Sequence, residues 1–129
     1  MKVVTSGWKF LDIDAYAGCI AYAELLNLVG QEAIAATTAP TNESVTKTVL
    51  SWQAPIVTDY VPHQNDDFVL IDVSAPEFFD KFVALDHVVQ VIDHHMEHAD
   101  YWHDRLGEQA TIEFIGAACT LVAEQWQSA

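Results

Sequence analysis

The stretch Phe68-Val69-Leu70-Ile71-Asp72 carries the clearest structural signal in the sequence. Four consecutive apolar residues are typical of a β-strand buried on both faces, the kind found in parallel sheets covered by helices. A second apolar run, Val88–Ile92, leads into the tripeptide Asp93-His94-His95. Both runs end in side chains that can bind metals, so the sequence predicts strands that place functional groups at their carboxyl ends.

Strand and helix signals alternate over the rest of the chain. Further strands are predicted at 2–6, 32–37 and 111–115, with a brief extended piece at 56–59. Helices are predicted at 15–29, 42–52 and 116–126, and 97–109 reads as a polar loop. The alternation predicts an α/β protein with a three-layer α/β/α fold and a mainly parallel sheet, in one domain spanning residues 1–129.

Local patterns suggest where some of these helices begin and end. Asp14 is the expected N-cap of the first helix, and Gly30 is expected to end it. Ser74 and Glu77 stand three residues apart around a proline, as in a capping box. That pattern predicts a further helix that runs to about Leu85.

Composition restricts the functional classes. The chain has 129 residues, of which 51% are hydrophobic, and no apolar run is long enough to span a membrane. Residues 1–7 read as a strand rather than a signal peptide. Cys19 and Cys119 form no Cys-x-x-Cys motif and lie in apolar, helical settings, which predicts reduced core thiols in a cytoplasmic protein.

The chain is strongly acidic, with 19 Asp and Glu against 5 Lys and Arg, for a formal charge of −14. Such a charge repels nucleic acids and anionic membranes at long range. In one interpretation the negative charge keeps the protein soluble. In the other, several carboxylates converge on divalent cations, which cancel part of the charge locally.

Acidic groups and imidazoles follow three of the predicted strands. They are Asp12 and Asp14 after the first strand, Asp72 after the run 68–71, and Asp93-His94-His95 after the run 88–92. The carboxyl ends of parallel strands share one edge of a sheet, so these groups are expected to lie close together. Asp12 and Asp14, two apart in an extended segment, would point to the same side. The alternatives are helix capping for Asp14, a turn position for Asp72 and surface histidines.

Carboxylates combined with imidazole suit hard or borderline divalent metals, with Mn²⁺ the preferred candidate and Mg²⁺ the second. The absence of cysteine ligands weighs against structural zinc. Such a set supports hydrolysis of phosphate compounds by two metals that share a carboxylate and activate a water molecule.

These blocks, in their order and spacing, resemble the amino-terminal domain of the DHH phosphoesterase superfamily. The nearest resemblance is to manganese-dependent (family II) inorganic pyrophosphatases and exopolyphosphatase-like proteins. It covers nearly the whole chain and rests on four blocks: Asp12–Ala15 with the small-residue helix to Leu26, the strand end at Asp72, Asp93-His94-His95, and the glycine-led segment Gly116–Glu124.

The resemblance implies a metal ligand role for four residues. Asp12 would bind the first metal and Asp14 the second, while Asp72 would bridge both and His94 would complete the set. As the bridging ligand, Asp72 would also take part in catalysis.

The resemblance further implies that His95 contacts substrate phosphate as a catalytic residue, and that Asp93 orients the adjoining histidines from behind. The expected substrate is a small phosphate compound: pyrophosphate, polyphosphate, a short oligonucleotide or a cyclic dinucleotide.

The sequence departs from the family pattern at motif one, where Trp8 occupies the place of a histidine ligand, and at Val73, where another family histidine is missing. The family's carboxy-terminal domain, which supplies cationic substrate contacts, would lie beyond Ala129. None of the five Lys and Arg residues is expected near the motifs. His98 could replace the missing ligand, although a loop position without that role is the simpler interpretation.

Two other interpretations therefore stay open. One is a non-catalytic relative that binds metal or nucleotide, or that dimerises through an uncovered sheet edge. The other is a doubly wound domain whose acidic strand ends are coincidental.

Overall fold

The computed structural model describes residues 1–129 and contains one five-stranded sheet in which every strand pairing is parallel. The strands are β1 (Lys2–Thr5), β2 (Ala33–Ala35), β3 (Asp67–Ile71), β4 (Val88–Asp93) and β5 (Ala110–Ile112), in the spatial order β2-β1-β3-β4-β5. The helices are α1 (Ile13–Leu28), α2 (Lys47–Ser51), α3 (Ala99–Leu106) and α4 (Ala118–Ser128). The predicted α/β fold with three layers is confirmed. No helix is long and apolar enough to cross a membrane.

Strand β3 lies at the centre of the sheet and contributes to both cores. Val69 and Ile71 face the core formed with α1 and α4, whereas Phe68 and Leu70 face the core that contains Trp102 of α3. Alternate side chains of a strand point to opposite faces, so a strand covered on both sides must be apolar at every position. This explains the uninterrupted apolar run from which the fold was predicted.

Asp12 is the N-cap of helix α1, because Oδ1 of its carboxylate accepts the N–H of Ala15 at 2.9 Å. The prediction of Asp14 as the N-cap is therefore wrong; Asp14 lies in the first turn of the helix. The two carboxylates do not belong to one extended segment as expected. The helix ends where predicted, at Gly30, whose φ of +86° is a conformation that residues with a Cβ rarely adopt.

The capping box predicted at Ser74 does not form a helix. A single 3₁₀ turn, Pro76–Phe78, follows Ala75, and Phe79 returns to extended backbone with its side chain buried. The carboxylate of Asp80 then accepts the N–H and hydroxyl of Thr38. These hydrogen bonds of the buried Asp80 hold the segment against the sheet, so the backbone does not continue as a helix to Leu85.

Other predicted boundaries also change. The segment predicted as a polar loop at 97–109 contains α3, whose buried residues Ala99 and Trp102 are three positions apart, as on one face of a helix. The helix predicted at 42–52 is reduced to α2, which is capped by Thr46. Strands β2 and β5 are shorter than predicted, and the extended piece at 56–59 contributes one bridge, between Val57 and Ala36.

The strand order places β1 between β2 and β3. The chain therefore forms β2 on one side of β1 and the later strands β3, β4 and β5 on the other side. In doubly wound sheets, ligands bind at the carboxyl ends of the strands where the order reverses. Asp12 follows β1 and Asp72 follows β3, so both residues lie at this position.

Candidate metal centre

His94 lies at the centre of the site, immediately after β4, and its ring is fixed by a backbone carbonyl. Nδ1 lies 3.0 Å from the carbonyl oxygen of Ile115. Since a carbonyl oxygen can only accept, Nδ1 carries the hydrogen and donates it. Nε2 then faces the carboxylates, 2.8 Å from Oδ1 of Asp72 and 3.7 Å from Oδ2 of Asp14. A backbone carbonyl on one nitrogen and the other nitrogen directed into a carboxylate cluster is a common arrangement of metal-binding histidines.

Asp72 is the residue on which the acidic groups converge. Its side chain is 8% exposed, and its φ of +62° lies in the left-handed region, an unusual backbone conformation for a residue other than glycine. Burial raises the pKa of Asp72 to about 8, with further contributions from the carboxylates of Asp14, Asp12 and Asp93. Without a cation, the site therefore keeps a proton on this carboxyl at neutral pH.

Asp14 keeps its charge because it faces the amino terminus of α4. Its two carboxylate oxygens accept the N–H groups of Ala118 at 2.9 Å and Cys119 at 2.8 Å. Burial alone would raise the pKa of Asp14, but these two hydrogen bonds outweigh it and lower the pKa. The residue thus joins α1 to α4 and holds a fixed negative charge beside Asp72 and His94.

Asp93 is fully buried at the end of β4 and orients the second histidine of the motif. Its Oδ1 accepts the backbone N–H of His94 and the Nδ1–H of His95, each at 2.8 Å. His95 is consequently held with Nε2 available to the cleft, and 52% of its side chain is exposed. Oδ2 of Asp93 has no hydrogen-bond partner although it is buried. Such an oxygen calls for a partner outside the chain's own donors.

The donor set fits a divalent cation. Asp72, Asp93, His94 and His95 each offer one ligand atom, and these atoms lie within 4.8 Å of one another. Carboxylate oxygens with imidazole nitrogens suit Mn²⁺ or Mg²⁺, and the raised pKa of Asp72 reflects neighbouring negative charge that a cation would balance.

The structure gathers five of the six residues singled out in the sequence and places the sixth beside them. Asp14 lies next to His94 and Asp72, and the tightest group consists of Asp72, Asp93, His94 and His95. Asp12 lines the adjoining cleft and caps α1 rather than joining that group.

A cleft of about 620 Å³ opens beside the metal centre and contains residues that the sequence did not reveal. Lys9 lines it together with Asp12 and Asp72, so the expectation that no cation lies near the motifs is wrong. Trp8, at the rim, donates from Nε1 to the carbonyl oxygen of Glu77 at 3.1 Å and supplies no metal ligand. His98 lies in the turn before α3, as the simpler interpretation expected, and lines the same cleft.

The two cysteines are free, as expected, but only Cys19 is fully buried; Cys119 is half-buried and donates to the backbone oxygen of Asp14 at 3.3 Å. Burial raises the pKa of both thiols, that of Cys119 to about 12. Both thiols therefore keep their proton at neutral pH in the metal-free protein.

No protein-family model matches the chain, and a comparison with curated proteins finds no match either. The site must therefore be interpreted from its own geometry.

Proposed function

We propose that the chain is a DHH-type phosphohydrolase domain that uses a divalent cation, preferably Mn²⁺, to cleave a phosphoanhydride or phosphodiester with water. The observation that carries the proposal is the orientation of His94, whose Nδ1 is committed to Ile115 while Nε2 faces Asp72 and Asp14. The resemblance of the Asp12, Asp72 and Asp93-His94-His95 blocks to that superfamily supports the same chemistry.

Different residues would bind the cation and contact the substrate. Asp72 in its ionised form and His94, with Asp14 beside them, would hold the cation. Asp93 fixes His95 so that Nε2 faces the cleft, where the ring, when it carries a hydrogen on both nitrogens, can donate to a phosphate oxygen. A bound divalent cation supplies Lewis acidity and lowers the pKa of water to near neutrality.

A metal-binding module without turnover is the second candidate function. It is favoured by Trp8, because an indole that donates to the carbonyl of Glu77 cannot act as the ligand that the family has at this position. It predicts Mn²⁺ binding without phosphate release. Under either proposal we expect a cytoplasmic protein, and the short edge strands β2 and β5 are where a homodimer would pair.

Hydrolysis distinguishes the two. We expect Mn²⁺-dependent release of phosphate from pyrophosphate or polyphosphate, or of nucleoside monophosphate from a short oligonucleotide. Asp72→Asn should lower the rate about 100-fold, because it removes a carboxylate proposed to bind the metal. Asp59→Asn, an exposed carboxylate away from the site, is the matched control and should retain full activity. Mn²⁺ binding with no release from any of these substrates would instead favour the module without turnover.

A further inference from the structure

The cleft beside the metal centre has an apolar wall. Its lining includes Phe10, Val73 and Phe78 in addition to the carboxylates of Asp12 and Asp72. Its volume of about 620 Å³ falls within the range of about 300–1,000 Å³ that is usual for sites binding organic ligands. An inorganic phosphate anhydride has no apolar part that could use this wall.

The aromatic side chains of this wall are exposed, and the backbone beneath them is rigid. Phe10 is 52% exposed and Phe78 is 47% exposed. The segment before Phe10 is joined to the 3₁₀ turn by hydrogen bonds from the backbone N–H and Nε1 of Trp8 to the carbonyl oxygens of Phe78 and Glu77. At Gly7, a Cβ would lie 2.9 Å from the carbonyl oxygen of Phe78, so the two segments approach more closely than other residues permit. Exposed aromatic faces on a fixed backbone are suited to stacking.

One of the five basic side chains of this acidic protein, Lys9, lines the cleft, and a second, Lys81, lies outside the lining over the ring of Trp8. Nζ of Lys9 lies 5.8 Å from the ring centre of Trp8 and 5.9 Å from that of Phe78, and Nζ of Lys81 lies 5.1 Å from Trp8. Cation–π contacts at these distances hold the ammonium groups over the rings. Lys9 also lines the cleft, where it can contact a phosphate. The other charged lining residues, Glu77 and Glu97, are acidic and exclude phosphate from their side.

From this juxtaposition we propose, building on the proposed function, that the ligand of the cleft is a nucleotide. Its phosphate lies between the metal centre and Lys9, and its base stacks on Phe10 and Phe78. Every base has a π-face, so stacking on phenylalanine accepts different bases and confers a preference for nucleotides over inorganic phosphates. The wall thus selects the class of substrate, while the metal centre carries the chemistry.

Binding to the full chain loaded with Mn²⁺ tests this inference by calorimetry. The probes are adenosine 5′-monophosphate and imidodiphosphate, a pyrophosphate analogue that resists hydrolysis. We expect Phe10→Ala to weaken nucleotide binding about tenfold more than it weakens imidodiphosphate binding. Lys9→Ala should weaken both ligands, and Lys9→Arg should restore both. Trp52→Ala removes an aromatic residue that is 69% exposed but lies outside the cleft, and it should change neither affinity.

The outcomes separate the two proposals. Tighter binding of imidodiphosphate than of the nucleotide, or equal losses for both ligands in Phe10→Ala, would overturn the nucleotide inference and leave the metal centre intact. A wild-type chain that binds no Mn²⁺ would overturn both.

Discussion

The carboxyl of Asp72 has three acidic neighbours and one imidazole in a nearly closed environment. Burial and the carboxylates of Asp14, Asp12 and Asp93 raise its pKa to about 8, while the contact with His94 acts in the opposite direction. A proton and a divalent cation therefore compete for the same group. This competition gives the site a pH dependence that an ordinary surface carboxylate would lack.

The first prediction concerns metal affinity. Below pH 8, Mn²⁺ must displace the proton of Asp72, so we expect the apparent affinity to rise about tenfold from pH 6 to pH 7 and about fivefold from pH 7 to pH 8, with release of about one proton per metal site at pH 7. Calorimetry in two buffers of different ionisation enthalpy measures both quantities. An affinity that is flat across this interval would show that Asp72 is not a ligand.

The second prediction concerns the stability of the metal-free protein. In the unfolded chain Asp72 loses its proton near pH 4, whereas in the folded chain it keeps the proton until about pH 8. The folded state thus binds more protons over this interval, and the free energy of unfolding falls as the pH rises from about 4 to about 8. Urea unfolding should show that Asp72→Asn removes part of this fall and that Asp59→Asn does not. Parallel pH profiles for wild type and Asp72→Asn would contradict the assignment.

The strand ends could be predicted from the sequence, because an apolar run that stops at a charged residue identifies both the strand and its carboxyl end. Asp72 and the tripeptide Asp93-His94-His95 were found in this way. The contribution of Ile115 was not, since a backbone carbonyl leaves no trace in residue type. Lys9 was also missed, because its position depends on the contact between its own segment and Phe78, which lies 69 positions further along the chain.

At the scale of elements, one side chain of α1 caps the amino terminus of α4. The carboxylate of Asp14 closes the amino terminus of α4, whose own N-cap residue, Ala117, has no side chain that could do so. The helix dipole and two N–H groups of α4 therefore meet a negative charge supplied by α1.

The third prediction follows from this contact. At pH 5.5, where Asp72 still holds its proton, Asp14→Ala should lower the free energy of unfolding by about 1–2 kcal/mol, since α4 loses its cap. Asp14→Asn should lose less, because an amide oxygen can still accept one N–H group. Chemical denaturation of the metal-free protein measures the difference. If Asp14→Ala is as stable as wild type, the contact does not support α4.

The fourth prediction concerns the packing of α1 on β3. A Cβ at Gly18 would lie 2.7 Å from Cγ2 of Ile71, so Gly18→Ala forces the helix away from the sheet or displaces the isoleucine. We expect a loss of about 1–3 kcal/mol in the free energy of unfolding. Gly116→Ala, where a Cβ would meet nothing within 4 Å, is the matched control. A fully stable Gly18→Ala protein would mean that the helix lies further from the strand.

Element prediction succeeded where a local pattern agreed with the tertiary contacts and failed where they conflicted. Ser74 and Glu77 have the spacing of a capping box, yet Ser74 is buried and its carbonyl oxygen accepts Nε1 of Trp102 at 2.7 Å. The burial of Phe79 and the anchor at Asp80 then override the local preference. Helix α3 was missed because only two of its eight residues, Ala99 and Trp102, are buried, which leaves too short an apolar pattern to indicate a helix.

At the scale of the whole molecule, the strand order determines which groups can meet. The alternation of elements predicted parallel strands, but it could not predict that β3 would lie beside β1. That pairing brings the segment after β1 next to Asp72, and the pairing of β3 with β4 adds Asp93-His94-His95. A chain with a charge of −14 concentrates carboxylates here at an electrostatic cost, which a bound divalent cation would offset.

The fifth prediction, and the most direct test of the metal centre, is a calorimetric titration of the 129-residue chain with Mn²⁺ at pH 8. We predict saturable binding in the wild type and its loss in His94→Ala, because that histidine presents Nε2 to Asp72 and Asp14. His103→Ala, which removes an exposed histidine of α3, should bind as the wild type does. Wild-type protein that takes up no Mn²⁺, or a His94→Ala variant that binds it with unchanged affinity, would contradict the proposed site.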